Sequence, residues 1–217
     1  MSQIIKNLLI CWVSLFVLFH ASTASARVSA EEQILQSGFP VQPEALSKTT
    51  TSLLKNYEER KNIVSLIFYA YGLLRQATHF ENGNDFIRAS EYAKSGFFYL
   101  DEAADIYEDN SRVRYLRARI DAFLPAELGR CVIAMSDTDL LLKNKNNFDS
   151  IILAHIQYMH YRALLSCQRN EQAAAMLARM QVSGEHAKKL LSLNFEENPA
   201  WDYSEITQII KPLMKDE

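Results

Sequence analysis

Apolar residues recur every three or four positions along most of this chain, and this spacing predicts α-helices. Leu46, Leu53 and Tyr57 share one face of a first predicted helix that begins after Pro43 and is charged on its other face. The segment Ile63–Thr78 is apolar almost all round, which is typical of a buried helix. Later apolar segments are separated by turn and capping residues. These segments predict helices over Phe86–Tyr107, Arg112–Phe123, Ala126–Leu142, Ile151–Cys167 and His186–Leu193, one starting at Asn170, and a last one capped by Ser204.

Three similar segments recur within this pattern at intervals of about 45 residues, and such a period indicates a helical repeat array. The segments are Tyr69–Ala77, Tyr115–Phe123 and His160–Gln168. When they are aligned on their first residues, Gly72, Ala118 and Ala163 correspond. A small residue flanked by apolar ones is what a helix needs where a second helix crosses it closely. We therefore expect helices that pair and stack along this part of the chain.

This pattern resembles the tetratricopeptide-repeat (TPR) family, in which the first helix of each hairpin carries a small residue near its middle. The three aligned small residues match that position, and Ala173, Leu177 and Met180 match the alternating residues of the family's second helix. The resemblance covers Ile63–Met180, with a longer period than the family's repeat of about 34 residues. It implies an all-α fold of stacked antiparallel helical hairpins, a TPR-like α-solenoid, with a C-terminal capping helix that closes the exposed core.

The N-terminal residues 1–26 have the features of a secretory signal peptide. Lys6 precedes the apolar segment Leu8–Phe19, and Ala24-Ser25-Ala26 forms a small-residue cleavage site. A retained membrane anchor is the alternative, but the apolar segment is shorter than the ~20 residues that span a bilayer. We expect cleavage, no stable membrane span afterwards, and a periplasmic or secreted protein.

The rest of the chain divides into residues 27–43, predicted as a loop or N-terminal arm, and residues 44–217, predicted as the helical repeat domain. A short helical turn at Ala30–Gln36 is compatible with the arm. Export would leave Cys131 and Cys167 in an oxidising compartment, where a disulfide is permitted. Antiparallel neighbouring helices would bring the two cysteines to the same side, whereas an axial offset of up to ~10 Å would leave them as two packed thiols.

Charge and motifs argue against several functions. The formal net charge is −3, from 23 basic and 26 acidic residues, which is not the electrostatic footprint of a nucleic-acid binder. The sequence has no signature of a zinc protease, a redox dithiol, a serine hydrolase, a phosphate loop or a dinucleotide fold. His155 and His160 lie five residues apart and therefore on different faces of their helix, which is poor spacing for a shared metal. We predict no catalysis, no cofactor and no metal site.

The TPR resemblance implies a concave groove lined by the first helix of each hairpin. It places six partner-binding side chains there: Tyr69, Arg112, Tyr115, Arg119, Gln157 and His160. Tyrosine and arginine are enriched among residues that carry binding energy, although packing alone also produces regular spacing, so a core position is the alternative for each. The four arginines between positions 112 and 119 follow an acidic run between 101 and 109. We interpret this set as ion pairs between helices together with a solvated face. The alternative is a carboxylate clamp, for which Arg112 and Arg119 are the stronger candidates.

These observations predict a periplasmic or secreted protein–protein interaction or assembly module, which binds another envelope or secreted protein through a concave helical groove. The alternative is a helical binding protein for a small apolar ligand, suggested by the aromatic residues around Phe86–Tyr107 and Phe68–Tyr71. A closed pocket would favour the small ligand, and an open groove would favour the protein partner.

Overall fold

The computed structural model describes residues 28–195 and 198–215, so the predicted signal peptide over residues 1–26 lies outside the described residues. Within these ranges the chain forms helices and connecting loops and has no β-strand. The predicted all-α fold is therefore confirmed. No helix in the described ranges combines the length and the apolar character needed to cross a membrane.

Ten α-helices follow one another along the described residues. Their bounds are α1 Ala30–Ser37, α2 Pro43–Arg60, α3 Ile63–Asn82, α4 Phe86–Ile106, α5 Ser111–Asp121, α6 Cys131–Lys143, α7 Ser150–Ser166, α8 Asn170–Val182, α9 Glu185–Leu191 and α10 Lys211–Lys215. Short 3₁₀ turns, Ala126–Leu128 and Lys145–Asn147, precede α6 and α7. A π-helical segment, Glu205–Ile210, leads directly into α10.

The described part of the predicted N-terminal arm, residues 28–43, contains α1, a helix of eight residues, at the position where the sequence allowed a short helical turn. Ser29 and Glu32 form a capping box at its start, in which each side chain accepts a hydrogen bond from the other residue's backbone N–H. This arrangement satisfies two amide groups that a helix start otherwise leaves without partners. Ile34 is buried in the main core, so tertiary packing stabilises a helix that the local sequence only allowed.

The predicted helix Ala126–Leu142 is divided in the structure. Gly129 has φ 70° and ends the 3₁₀ turn in the left-handed region, which a glycine adopts without steric cost. The α-helix then begins at Cys131. The break turns the chain between α5 and α6 and leaves Pro125 and Leu128 at the surface.

Helix α3 occupies the centre of the first half of the chain, as its apolar composition predicted. Its first residues, Ile63 to Phe68, are all buried, and it packs against both α2 and α4. Gly72 of α3 faces Thr50 of α2, and Gly96 of α4 faces Leu74 and the carbonyl of Ala70. The two glycines allow the helices to approach closely at these crossings.

In the second half, helices α5 to α8 each pack on the next helix in sequence, and α9 packs on α7 and α8. A disulfide joins Cys131, at the start of α6, to Cys167, just after α7, with their Cα atoms 5.6 Å apart. The π-helical segment contacts α5, and α10 contacts α3. Ile209, Ile210 and Leu213 of this C-terminal part are buried in the same core as α3, so the end of the chain joins the two halves.

Candidate functional site

Two of the six predicted partner-binding residues belong to a buried network at the C-terminal segment. The hydroxyl of Tyr115, on α5, donates to Glu205 Oε1 at 2.9 Å, and Arg119 Nε donates to the same oxygen at 3.0 Å. Arg119 also donates to the carbonyl of Pro199 at 2.8 Å, and its guanidinium lies 4.9 Å from the ring centroid of Trp201. Burial, and then the charge of Glu205, raises the pKa of Tyr115 well above its usual value. The network holds residues 199–205 on α5.

The other four predicted residues come from three helices: Tyr69 from α3, Arg112 from α5, and Gln157 and His160 from one side of α7, three residues apart. Tyr69 packs edge-on against Tyr99, with ring centroids 5.0 Å apart. The exposed Arg112 donates to the carbonyl of Gln208 at 2.9 Å, and Gln157 is half-buried. His160 is buried, with Nδ1 2.8 Å from the hydroxyl of Thr138.

Partner contact at these six positions stays a prediction, and its structural setting differs among them. Tyr115, Arg119 and His160 are buried and make intramolecular contacts, so partner contact there would require the surrounding chain to move. The helix register deduced from the TPR resemblance put these side chains in a groove, whereas in the structure they point into the packed interior. The sequence offset from a helix crossing gives the direction of a side chain around its helix. It does not tell whether that direction faces solvent or another packed segment.

Two arginines of α5, Arg114 and Arg117, form ion pairs with the neighbouring helices α4 and α6. Arg117 contacts Asp101 of α4 at 3.3 Å and Asp137 of α6 at 2.7 Å, and Arg114 also contacts Asp137. Arg130 pairs with Asp101 at 2.7 Å. Pairing between neighbouring helices is thus present, as the sequence suggested for Asp101. The sequence did not indicate Asp137, because nothing in the pattern of α6 marks this carboxylate as buried.

One carboxylate of this network has a strongly shifted pKa. Burial raises the pKa of Asp121 to about 7, and hydrogen bonds from Arg130 act in the opposite direction. Arg130 Nε and Nη2 donate to the two carboxylate oxygens at 2.9 Å each. This fork orients both side chains and contributes to the rigidity of the α5–α6 connection.

A separate cluster combines two histidines and a carboxylate. His155 comes from the middle of α7, His186 from the first turn of α9, and Asp202 from the segment that precedes the π-helix. The two histidine Nε2 atoms are 3.2 Å apart. Asp202 Oδ2 lies 3.5 Å from His155 Nε2 and 3.8 Å from His186 Nε2. These three atoms form a compact set that could hold a metal ion.

The surroundings hold this cluster in position. Asp202 Oδ1 accepts the backbone N–H groups of Ser204 at 2.7 Å and Glu205 at 3.3 Å, which leaves Oδ2 directed at the histidines. Burial acts to raise the pKa of Asp202, but these hydrogen bonds and His155 lower it overall. Burial lowers the pKa of His155, against the raising effect of Glu205 and Asp202. Asp202 is therefore held as a carboxylate, and His155 favours the neutral form, in which a ring nitrogen can bind a metal.

An apolar groove lies between α3, α4 and the turn before α6. It has a volume of about 320 Å³. Its lining is mostly apolar: Leu74, Ala77, Phe86, Ala89, Ala93, Phe97, Leu124, Pro125 and Leu128, with Thr78, Ser90, Glu81 and Lys94 as the polar members. Phe86 is 63% exposed and Leu128 is 42% exposed. The groove is therefore open to solvent along a rim of large apolar side chains.

Comparison with protein-family models, with curated proteins and with solved structures found no match. The class of the protein therefore rests on its fold and geometry. It is an all-α protein that has a disulfide, a histidine–aspartate cluster and an open apolar groove.

Proposed function

We propose that this protein is a non-catalytic binding module that holds an amphipathic helix of a partner protein in the groove between α3 and α4. The observation that carries the proposal is the mostly apolar lining of this groove together with its exposed rim. Exposed apolar area on a folded chain is unfavourable in water, and a rim of this kind is typical of interaction surfaces.

The shape of the groove favours a helical partner. Ala77 of α3 and Ala89 and Ala93 of α4 are small residues on its walls, so the backbone of another helix can approach closely. Phe97 and Leu124 also line the groove and are half-buried, so they add apolar contact. An amphipathic helix that lays its apolar face into such a groove is a common mode of recognition. Glu81 and Lys94 add one charge of each sign to the groove, and opposite charges on the partner would set its orientation.

The openness of the groove supports a protein partner over a small apolar molecule. Pockets for small molecules bury most of the ligand surface, whereas here the rim residues Phe86 and Leu128 are exposed to solvent. A partner helix longer than the groove would cover both rim residues. The proposed groove does not include Tyr115 or Arg119 among its lining residues.

A TPR-like array is our proposal for the architecture of the module. Its support is the packing of consecutive helices on one another and the burial of Gly72, Ala118 and Ala163. We also propose an exported protein, in the periplasm or secreted. The Cys131–Cys167 disulfide supports this location, because disulfides persist in oxidising compartments.

The test combines site-specific crosslinking with a defined peptide. A photoreactive phenylalanine analogue replaces Phe86 at the rim, or Val182 on α8 as a control site that is also exposed. We expect a partner protein to crosslink to position 86 and not to position 182. The crosslinked segment of the partner should be a peptide with apolar residues every three or four positions. That peptide, made synthetically, should bind the parent protein in solution.

Two variants decide whether the peptide occupies the groove. Ala93→Arg places a long charged side chain on the groove wall and should weaken peptide binding at least ~10-fold, a loss of about 1.4 kcal/mol of binding free energy. Ala174→Arg makes the same change at an exposed site on α8 and should leave the affinity unchanged. Equal crosslinking from both sites, or equal affinity in both variants, would refute the proposal. An apolar small molecule that co-purifies with the parent and not with Ala93→Arg would identify a ligand carrier.

A further inference from the structure

We infer that His155, His186 and Asp202 form a binding site for a divalent transition-metal ion of the zinc class, which joins α7 and α9 to the C-terminal segment. This site lies outside the apolar groove, shares no residue with it, and stands independently of the proposed function.

The distances suit such an ion. Zinc binds imidazole nitrogen and carboxylate oxygen at about 2.0–2.1 Å in tetrahedral geometry, which places ligand atoms about 3.3 Å from one another. The three observed separations are 3.2, 3.5 and 3.8 Å. Movement of Asp202 by a few tenths of an ångström would therefore bring all three separations close to the tetrahedral value.

The ligand types define the class of ion. Imidazole suits Zn²⁺, Ni²⁺, Cu²⁺ and Fe²⁺. Mg²⁺ and Ca²⁺ require mostly oxygen ligands, and two of the three ligand atoms here are nitrogens. The side chain of His155 is only 5% exposed, whereas those of His186 and Asp202 are 27% and 28% exposed. Water has access to one side of the cluster, so a bound ion keeps a fourth position for solvent or for a group from another molecule.

The residues around the ligands support them. The backbone amides of Ser204 and Glu205 hold Asp202 through its other oxygen. Glu205 accepts the backbone N–H of Asp202 at 3.0 Å and is itself held by Tyr115 and Arg119. Such outer hydrogen bonds fix ligand orientation in metal sites. The ion would thus stabilise the docking of residues 198–215 on α7 and α9.

The competing explanation is a hydrogen bond between neutral His155 and neutral His186 beside the Asp202 carboxylate, with no ion bound. The test is zinc titration of the purified, EDTA-treated protein by calorimetry, under oxidising conditions that keep Cys131 and Cys167 bridged and unavailable as ligands. We expect one Zn²⁺ per chain with an affinity in the micromolar range or tighter, and no detectable binding of Mg²⁺. Co²⁺ in place of Zn²⁺ should give the strong visible absorption of a tetrahedral centre.

Three variants separate this site from adventitious binding. His186→Ala removes one partly exposed ligand, and Asp202→Asn removes the charge while keeping an oxygen for the backbone amides. Each should weaken Zn²⁺ binding at least ~10-fold. His79→Ala, at an exposed histidine of α3, should have no effect. A parent protein that does not bind Zn²⁺, or that binds it as weakly as the His186→Ala and Asp202→Asn variants, would overturn the inference.

Discussion

The crossing of α2 and α3 predicts how the protein responds to a single added methyl group. A Cβ atom at Gly72 would lie 2.5 Å from Thr50 Oγ1, 3.1 Å from its Cγ2 and 3.2 Å from its Cβ. Thr50 is buried and its hydroxyl donates to the carbonyl of Leu46 at 2.8 Å. Rotation of the threonine away from the new methyl group would break this hydrogen bond. The steric clash in the Gly72→Ala variant therefore cannot be removed by a side-chain rotation without cost.

Overpacking of this kind costs ~1–3 kcal/mol. Replacing glycine by alanine within a helix returns about 1 kcal/mol through helix propensity. Because the closest contact is far below van der Waals distance, we take the upper part of the first range and expect Gly72→Ala to lower the free energy of unfolding by ~1–2 kcal/mol. In a Thr50→Ala background only the Cβ contact at 3.2 Å remains of these three nearest contacts, and the same change at Gly72 should become neutral or stabilising.

The measurement is urea unfolding followed by far-UV circular dichroism, with the disulfide intact, for the parent, both single variants and the double variant. A change in the midpoint at constant slope reports a change in stability. Gly83→Ala is the matched control, because its new methyl group would meet no atom closer than 3.4 Å. Gly72→Ala as stable as Gly83→Ala, or an equal cost of Gly72→Ala in both backgrounds, would refute the close crossing.

Two further predictions concern the second half of the chain. The Cys131–Cys167 disulfide spans a sequence separation of 36, and its removal in a Cys131→Ala, Cys167→Ala variant should lower the free energy of unfolding by ~4 kcal/mol, since the unfolded chain gains the freedom that the closed loop denies it. Urea midpoints measure this, and an unchanged midpoint would contradict it. Burial lowers the pKa of His160 below its usual 6.5. As the pH falls, the imidazole of His160 is therefore protonated more readily in the unfolded chain than in the folded protein. The stability contributed by a neutral His160 is thus complete above about pH 6.5 and is lost as the pH falls through the folded pKa. The parent should lose stability on acidification more steeply than His160→Asn, whereas parallel pH profiles would contradict the assignment.

The predicted site and the observed clusters differ for a physical reason. A helical repeat register predicts which face a residue occupies relative to a helix crossing, but the neighbouring chain decides whether that face is open. Glu205, 90 and 86 residues beyond Tyr115 and Arg119, turns their predicted groove position into a buried network. His155 acquires its partners in the same way. The spacing along the sequence relates His155 only to His160 on the same helix. Its partners in the structure, His186 and Asp202, come from other elements.

What the sequence alone determined is the all-α class, the buried character of α3 and the small residues of its helix crossings. These properties follow from local periodicity and side-chain size, which each segment carries by itself. The residues of the α1 capping box were also present in the sequence, but the segment is stabilised as a helix by the packing of Ile34 in the main core. Only the tertiary structure decided which polar side chains meet. The docking of the C-terminal segment on α5 and α7 brings together groups that are far apart in the chain, and neither hydrophobic pattern nor residue spacing encodes the contacts made across that distance.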